Sequence, residues 1–151
     1  MLEIGKKAPA FKLKTDSDEV VSLGDLKGKT VVLYFYPKDL TTGCTAEACD
    51  FRDAHPRFKK KGAVILGVSK DPVALHAKFK AKHDLPFTLV SDPDGKACEA
   101  YGVWKEKSMY GRKYMGIERS TFVIGPDGKI QAIFSKVKVK GHVDAVLEAV
   151  S

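Results

Sequence analysis

Cysteine, tryptophan and long apolar runs are scarce in this 151-residue chain, and these shortages argue against several classes of protein. No run reaches the roughly eighteen consecutive apolar residues of a transmembrane helix, and the start, MLEIGKKAPAF, lacks the apolar segment of a secretory signal. The three cysteines are too few, and odd in number, for a disulfide framework. We therefore expect one cytoplasmic domain over residues 1–151, with no membrane partner.

Lysine and arginine exceed the acidic residues, which gives a net charge of +7. The lysines fall in patches at 59–61 and at 136, 138 and 140, where they alternate with valines as on the water-facing side of a strand. No arginine-rich tail, helix-turn-helix pattern or aromatic-basic interleaving accompanies them. We expect a solvated surface and no nucleic-acid partner; a basic nucleic-acid-binding protein with incidental cysteines is the alternative.

Two continuous runs of β-branched and other apolar residues predict central strands, TVVLYFY at 30–36 and AVILGVS at 63–69. Between them a helix is predicted from Cys44 to about Lys60, because apolar residues recur there at helical spacing. Strand, helix and strand together predict a right-handed βαβ unit with parallel strands.

The remaining elements complete an α/β fold. A second helix is predicted to open at Asp71-Pro72, with Asp71 as its cap, and to run to about Lys82. The other predicted elements are a strand in LPFTLVSD, a short helix at 96–101, a hairpin in STFVIGPDGKIQAIF, a last helix in GHVDAVLEAV and an N-terminal hairpin from FKLKT and EVVSL. Together, the predicted strands and helices indicate a three-layer sandwich, in which helices flank a central mixed sheet.

Cys44 lies at the start of the helix that follows a predicted buried strand, at the edge of the sheet where α/β proteins bind ligands. A cysteine in a first helical turn faces unpaired backbone N–H groups and the positive end of the helix dipole, and both favour the thiolate. Thr41 or Thr42 is a candidate cap, and Gly43 lets the backbone approach a substrate closely. The alternative is an inert, buried cysteine.

Cys49 follows Cys44 at a spacing of five residues, which does not suit a disulfide within a helix. Such residues are rotated by about 140° and separated by a rise of about 7.5 Å, so that their Cα atoms stand about 8.6 Å apart. A disulfide needs Cα atoms within about 7 Å. Either the bridge never forms, or its formation unwinds the first turn of the helix.

This spacing excludes a CxxC redox site and argues against a metal site. Zinc ligands are usually two to four residues apart, and the nearest histidine, His55, is half a helix away. A conformational redox switch remains, in which one cysteine attacks, the helix melts locally and the second cysteine resolves the product.

The segment YFYPKDLTTGCTAEACDFRD resembles the active-site segment of peroxiredoxins, in particular the bacterioferritin-comigratory, or Q, subfamily. The resemblance extends from IGKKAPAFKL through SDPDGKACEAYGVW to ERSTFVIGPDGKI. The family pattern Pro-x-x-x-Thr-x-x-Cys is present as Pro37, Thr41 and Cys44.

The resemblance implies a thioredoxin-like fold with an N-terminal β-hairpin extension, and reduction of hydrogen peroxide and organic hydroperoxides. Cys44 would be the peroxidatic cysteine, oxidised to a sulfenic acid. Thr41 would hydrogen-bond the thiolate and the peroxide, Pro37 would shield the pocket, and the N–H groups of Gly43 and Cys44 would hold the peroxide oxygens. Arg119 would stabilise the thiolate and polarise the O–O bond.

The resemblance further implies that Cys49 resolves Cys44 in an intramolecular disulfide, which thioredoxin or a similar dithiol reopens. It implies a monomer without a cofactor or metal. The chain departs from the subfamily at Leu40 and Thr42, where relatives often carry an acid and a proline, so that we expect a looser loop and an altered substrate preference. A redox-sensing module that signals to a partner is the second hypothesis.

The sequence also gives expectations for residues outside this motif, and for some of them it leaves two roles open. Cys98 is expected to be a buried structural cysteine, and the four histidines are expected at the surface. Glu47 either joins the network around Cys44 or serves as a first-turn acid. Trp104 and the tyrosines at 101, 110 and 114 flank a predicted basic loop, KEKSMYGRKYMGIE, and either line a wall of the pocket or pack in the ordinary way.

Overall fold

A seven-stranded mixed β-sheet lies at the centre of the structure, a computed structural model that describes residues 2–150. The strands of the described residues, in chain order, are β1 (Lys12–Thr15), β2 (Val20–Ser22), β3 (Thr30–Phe35), β4 (Ala63–Ser69), β5 (Thr88–Ser91), β6 (Trp104–Met109), β7 (Arg112–Ile117), β8 (Ser120–Ile124) and β9 (Ile130–Phe134). The central sheet has the order β2-β1-β5-β4-β3-β8-β9, and β6 pairs only with β7. Strands β3, β4 and β5 are parallel, and the others pair antiparallel.

Four α-helices cover the two faces of this sheet. They are α1 (Thr42–Lys60), α2 (Val73–His83), α3 (Lys96–Ala100) and α4 (His142–Ala149). One apolar core contains residues from α1, α2 and α4, and the second contains those of α3. The predicted three-layer sandwich, its parallel strand–helix–strand unit, the two hairpins and the N-terminal extension are confirmed.

The composition of β3 explains its central position. All six of its residues are buried, and successive side chains point to opposite faces. Val32 and Tyr34 belong to the core under α1, whereas Val31 and Leu33 belong to the core on the α3 side. A strand that is apolar on both faces can be stable only between two layers.

Phe51 fixes α1 to this strand. Its ring stacks on Tyr34 with centroids 4.6 Å apart, and it has no exposed surface. Tyr34 in turn lies over Gly67 of β4, where a Cβ atom would come within 2.7 Å of the tyrosine ring. The middle of α1 is therefore packed directly onto the two central strands.

Three local predictions are wrong. The segment KEKSMYGRKYMGIE is largely a β-hairpin, β6–β7, rather than a basic loop. Asp71 does not cap α2, because the helix begins after Pro72 without a side-chain cap and Asp71 binds the end of β4 and the loop before α1 instead. The lysines at 136, 138 and 140 are exposed as expected, but they lie in a loop beyond β9 and not on a strand.

Candidate active site

Cys44 is the third residue of α1, at the carboxyl edge of the parallel strands. Its thiol is free and only 2% exposed. The first backbone hydrogen bond of the helix runs from the Thr45 N–H to the Thr41 carbonyl. The N–H groups before Thr45 therefore lie in the turn whose donors have no partner within a helix, as the sequence predicted.

Arg119 reaches Cys44 from the connection between β7 and β8. Its Nη2 donates to the Cys44 sulfur at 3.4 Å, and its backbone carbonyl accepts from the Val137 N–H at 3.0 Å. Burial alone would lower the pKa of Arg119, but the negative charges of Glu47 and Cys44 raise it above its ordinary value. The guanidinium is thus a fixed, permanent cation beside the thiol.

Glu47 belongs to the hydrogen-bond network of Cys44 and Arg119, which is one of the two roles that the sequence left open for it. Its Oε1 accepts from Arg119 Nη1 at 2.6 Å, and the side chain is fully buried. Burial raises the pKa of Glu47 to about 7, against the opposing charge of Arg119. Its Oε2 has no hydrogen-bond partner among residues 2–150, and His142 Nε2 lies 4.0 Å from it.

Gly43 makes room for Arg119. A Cβ atom at this position would lie 3.2 Å from Arg119 Nη2, closer than an ordinary van der Waals contact. The missing side chain therefore serves the approach of the arginine, whereas the approach of a substrate to Gly43 stays a prediction.

Thr41 and Pro37 lie on the open side of the site. Thr41 is the residue before α1, but its hydroxyl donates to the Lys38 carbonyl at 2.8 Å and makes no cap hydrogen bond. Thr42 is the first helical residue and not the cap. Pro37 is exposed in the loop before α1, and its shielding role stays a prediction.

Cys49 lies on the same helix but faces α2. It is half-buried, and its sulfur lies 4.0 Å from His83 Nδ1. Arg52 Nη1 donates to the His83 carbonyl at 2.9 Å, which fixes the end of α2 against this part of α1. Both cysteines are free in an unbroken helix, so the estimate of about 8.6 Å between their Cα atoms applies.

The histidines correct one prediction. His76 has no exposed surface and His142 is also buried, whereas His55 and His83 are half-buried. Burial and, as the smaller effect, the charge of Arg119 together lower the pKa of His142 to about 4, so that this ring is neutral at pH 7. Sequence spacing gave no signal for either buried ring, because each one meets its partners only across the fold.

Cys98 is buried away from the site, in the core on the α3 side of the sheet. Burial raises the pKa of its thiol, and a hydrogen bond with Asp92 raises it further. The predicted structural cysteine is confirmed in its burial.

The β6–β7 hairpin lies beside the site with its tip in solvent. Burial lowers the pKa of Lys107, and the charge of Arg119 lowers it further, which reflects the proximity of β6 to the site. Trp104 packs under Lys70, whose Nζ is 4.0 Å from the ring centroid, and Tyr101 is buried in the α3-side core. Tyr110 is 98% exposed, so these aromatic residues do not form one wall.

Comparison with known proteins gives one consistent picture. A model of the AhpC/TSA family matches residues 4–133. The peroxiredoxin Bcp of Bacillus subtilis is 56% identical over 147 residues, with 97% of this chain and 94% of that protein covered. The peroxiredoxin Bcp of Escherichia coli K12 is 45% identical over 146 residues, with the same two shares covered.

The fold is shared with a solved relative, the bacterioferritin comigratory protein of Xanthomonas campestris, whose structures concern alkyl peroxide reduction by that protein. The TM-score is 0.92 at 45% identity, with 98% of this chain and 97% of that chain covered. The match therefore includes every element that surrounds Cys44.

Proposed function

Because this chain belongs to the AhpC/TSA family, and within it to the Bcp peroxiredoxins, we propose that it is a thioredoxin-dependent peroxidase in which Cys44 is peroxidatic and Cys49 is resolving. The thioredoxin-like fold and the thiol-dependent reduction of hydroperoxides follow from the family. The observation that supports the assignment of Cys44 is the hydrogen bond from Arg119 Nη2 to its sulfur at the start of a helix. A buried thiol that meets a fixed cation and unpaired N–H groups is equipped to react as a thiolate.

The first step oxidises Cys44. Its thiolate attacks the terminal oxygen of a hydroperoxide, the S–O bond forms, and the O–O bond breaks. The alkoxide or hydroxide leaves and takes up a proton, so that the peroxide is reduced to an alcohol or water. In this proposal Arg119 and the N–H groups of Gly43 and Cys44 hold the two oxygens while charge moves between them.

The second step joins the two cysteines. The Cys49 thiolate attacks the sulfenic sulfur of Cys44, the S–S bond forms, and the S–O bond breaks with loss of water after protonation. Since the intact helix holds the cysteines too far apart, the turn that carries Cys44 must unwind first. A dithiol reductant of the thioredoxin class then reduces the disulfide by two exchange steps and is itself oxidised.

The setting of this reaction is also a proposal. No helix in residues 2–150 is long and apolar enough to cross a membrane. We place the protein in the cytoplasm, where thioredoxin is available and free cysteines persist, and expect a monomer that acts on hydrogen peroxide and organic hydroperoxides.

The test is peroxide consumption by the purified protein with thioredoxin, thioredoxin reductase and NADPH. Cys44→Ser should abolish consumption, and Cys49→Ser should react once with peroxide but turn over poorly. Cys98→Ser is the matched control and should keep its activity. Full activity in Cys44→Ser would overturn the proposal, and slow turnover beside a large oxidation-dependent change in partner binding would favour a redox sensor.

A further inference from the structure

The loop between β3 and α1, residues 36–41, is tied to the protein interior by one carboxylate, that of Asp39. The side chain of Asp39 has no exposed surface. Its Oδ1 accepts from the Tyr36 hydroxyl at 2.5 Å, and its Oδ2 lies 2.6 Å from His76 Nδ1. These two oxygens thus contact Tyr36, the first residue after β3, and His76 of α2.

The proton positions in this group follow from its partners. His76 Nε2 lies 3.0 Å from the Val90 carbonyl oxygen, which can only accept, so this nitrogen carries a proton. The Tyr36 hydroxyl donates to Asp39 Oδ1 and also lies 3.3 Å from His76 Nδ1. Asp39 Oδ2 contacts the same nitrogen at 2.6 Å, although this oxygen has no partner with hydrogen-bond geometry among residues 2–150. The three side chains thus form one buried polar cluster around Asp39.

The main chain of the loop is held at the same residue. The Asp39 N–H donates to Asp71 Oδ2 at 2.8 Å. The same Asp71 oxygen accepts from the Ser69 hydroxyl at 2.7 Å, and the Asp71 carbonyl accepts from the Ser91 hydroxyl at 2.6 Å. Asp39 is therefore held by its side chain to Tyr36 and His76, and by its backbone, through Asp71, to the ends of β4 and β5.

The next residue shows what this attachment does. Leu40 has φ +64°, a left-handed conformation that a leucine adopts only when its surroundings impose it. Thr41 follows in an extended conformation, and α1 begins at Thr42. The path from Asp39 through this strained residue sets where the first turn of α1, and with it Cys44, begins.

We propose that Asp39 is a positioning residue for the reaction of Cys44: its contacts with Tyr36, His76 and Asp71 hold the loop so that the first turn of α1 presents the thiol to Arg119 and the peroxide. This inference rests on the proposed peroxidase function. Without the anchor, Leu40 relaxes out of its left-handed conformation and the first turn frays. Peroxide then reacts more slowly, whereas disulfide formation, which needs an unwound turn, is not slowed.

A matched pair of tyrosines allows a clean test. Tyr36→Phe removes the hydroxyl that donates to Asp39, and Tyr101→Phe removes a buried hydroxyl that donates to the Pro9 carbonyl in the core on the α3 side. Each variant loses one hydroxyl that donates a short hydrogen bond, and no ring; the Tyr36 hydroxyl also has a longer contact with His76 Nδ1, at 3.3 Å. The two variants should therefore lose comparable stability. Only Tyr36→Phe should slow the single-turnover reaction with hydrogen peroxide, by about fivefold or more, and raise amide hydrogen exchange at residues 39–45.

Two variants of Asp39 separate anchoring from charge. In Asp39→Asn the amide oxygen can accept from Tyr36 and the amide N–H can donate to His76 Nδ1, so both contacts are kept without a charge. We expect Asp39→Asn to react within about threefold of the parent and Asp39→Ala to be slower by at least about tenfold. Disulfide formation in Asp39→Ala after oxidation of Cys44 should be no slower than in the parent.

Three results would overturn the inference: a folded Asp39→Ala that reacts like the parent, an Asp39→Asn as slow as Asp39→Ala, or equal slowing by Tyr36→Phe and Tyr101→Phe. If Asp39→Ala does not fold, the tyrosine pair decides. Hydrogen exchange reports on the anchor whether or not the protein consumes peroxide. A parent protein that fails with peroxide would therefore contradict the peroxidase, and unchanged exchange in Tyr36→Phe would contradict the anchor.

Discussion

Arg119 Nη2 donates to the sulfur of Cys44 at 3.4 Å across 75 residues of sequence. The same guanidinium binds Glu47 one turn further along α1 at 2.6 Å. A planar fork therefore bridges two residues of one helix from a loop on the other side of the site. The arginine both supplies charge to the thiol and sets the direction from which that charge acts.

Replacement of this fork by a point charge should be costly. In Arg119→Lys the ammonium cannot bind Cys44 and Glu47 in the same geometry, so we expect the second-order rate with peroxide to fall about tenfold to a hundredfold. Stopped-flow measurement of Cys44 oxidation checks this, with Arg112→Lys on exposed β7 as the control. A rate in Arg119→Lys equal to that of the parent would show that charge alone suffices.

Glu47 predicts a pH dependence of stability. Its pKa is raised from 4.5 to about 7 in the fold, so its contribution to stability is present below pH 4.5 and is lost as the pH rises through 7. Gln cannot ionise, and the stability of the parent relative to Glu47→Gln should fall by on the order of 2 kcal/mol between pH 5 and pH 8.

Urea denaturation of both proteins at the two pH values measures this difference. His142 is present in both proteins, and its lowered pKa has the opposite effect on stability as the pH falls from 6.5 to 4. An unchanged difference between pH 5 and pH 8 would mean that Glu47 titrates at its ordinary pKa.

A substitution at Gly43 tests whether the position of the Arg119 guanidinium matters for the reaction. Alanine favours a helix over glycine by about 0.5–1 kcal/mol, so Gly43→Ala should not destabilise α1. Its methyl group would lie 3.2 Å from Arg119 Nη2 and displace the guanidinium. We expect slower peroxide reduction and no gain in thermal stability, because a shifted guanidinium contacts Glu47 less well and this loss offsets the helical preference of alanine. Equal rates would show that the arginine can shift without consequence.

A substitution at Thr42 should change how readily the first turn of α1 unwinds. It is the first residue of α1, where proline fits, and the preceding Thr41 has φ −82° and ψ 158°, the extended conformation that proline requires before it. Thr42→Pro should stabilise the fold by about 0.4–1 kcal/mol and slow the formation of the Cys44–Cys49 disulfide. Mass spectrometry of samples quenched after one equivalent of peroxide gives that rate, and faster disulfide formation would contradict the unwinding step.

The sequence was sufficient where a short segment carries its own signal. The strands at 30–36 and 63–69 were readable because burial on both faces demands continuous apolar runs. Cys44 was readable because its chemistry depends on a helix start a few residues away. The β6–β7 hairpin was missed because it packs little of its surface and mixes charged with apolar residues, so neither strand alternates clearly.

The anchor at Asp39 was beyond the reach of the sequence for a different reason. Asp39 follows a buried strand, as loop residues commonly do, and nothing nearby marks its side chain as buried. Its partner His76 is 37 residues away on α2 and was expected at the surface. Only the packing of α2 against β5 brings the two together, and such long-range meetings leave no periodic trace in one sequence.

The stacking of Phe51 on Tyr34 sets a boundary to the motion that the cysteines need. Both Cys44 and Cys49 precede Phe51, and from Phe51 onward α1 is clamped to the central sheet by Phe51, Ala54 and Phe58. Unwinding of α1 can therefore extend over its first two turns and should end before Phe51. Each catalytic cycle would then deform a short piece of helix that includes the buried residues Cys44 and Ala48, while the core from Phe51 onward stays packed.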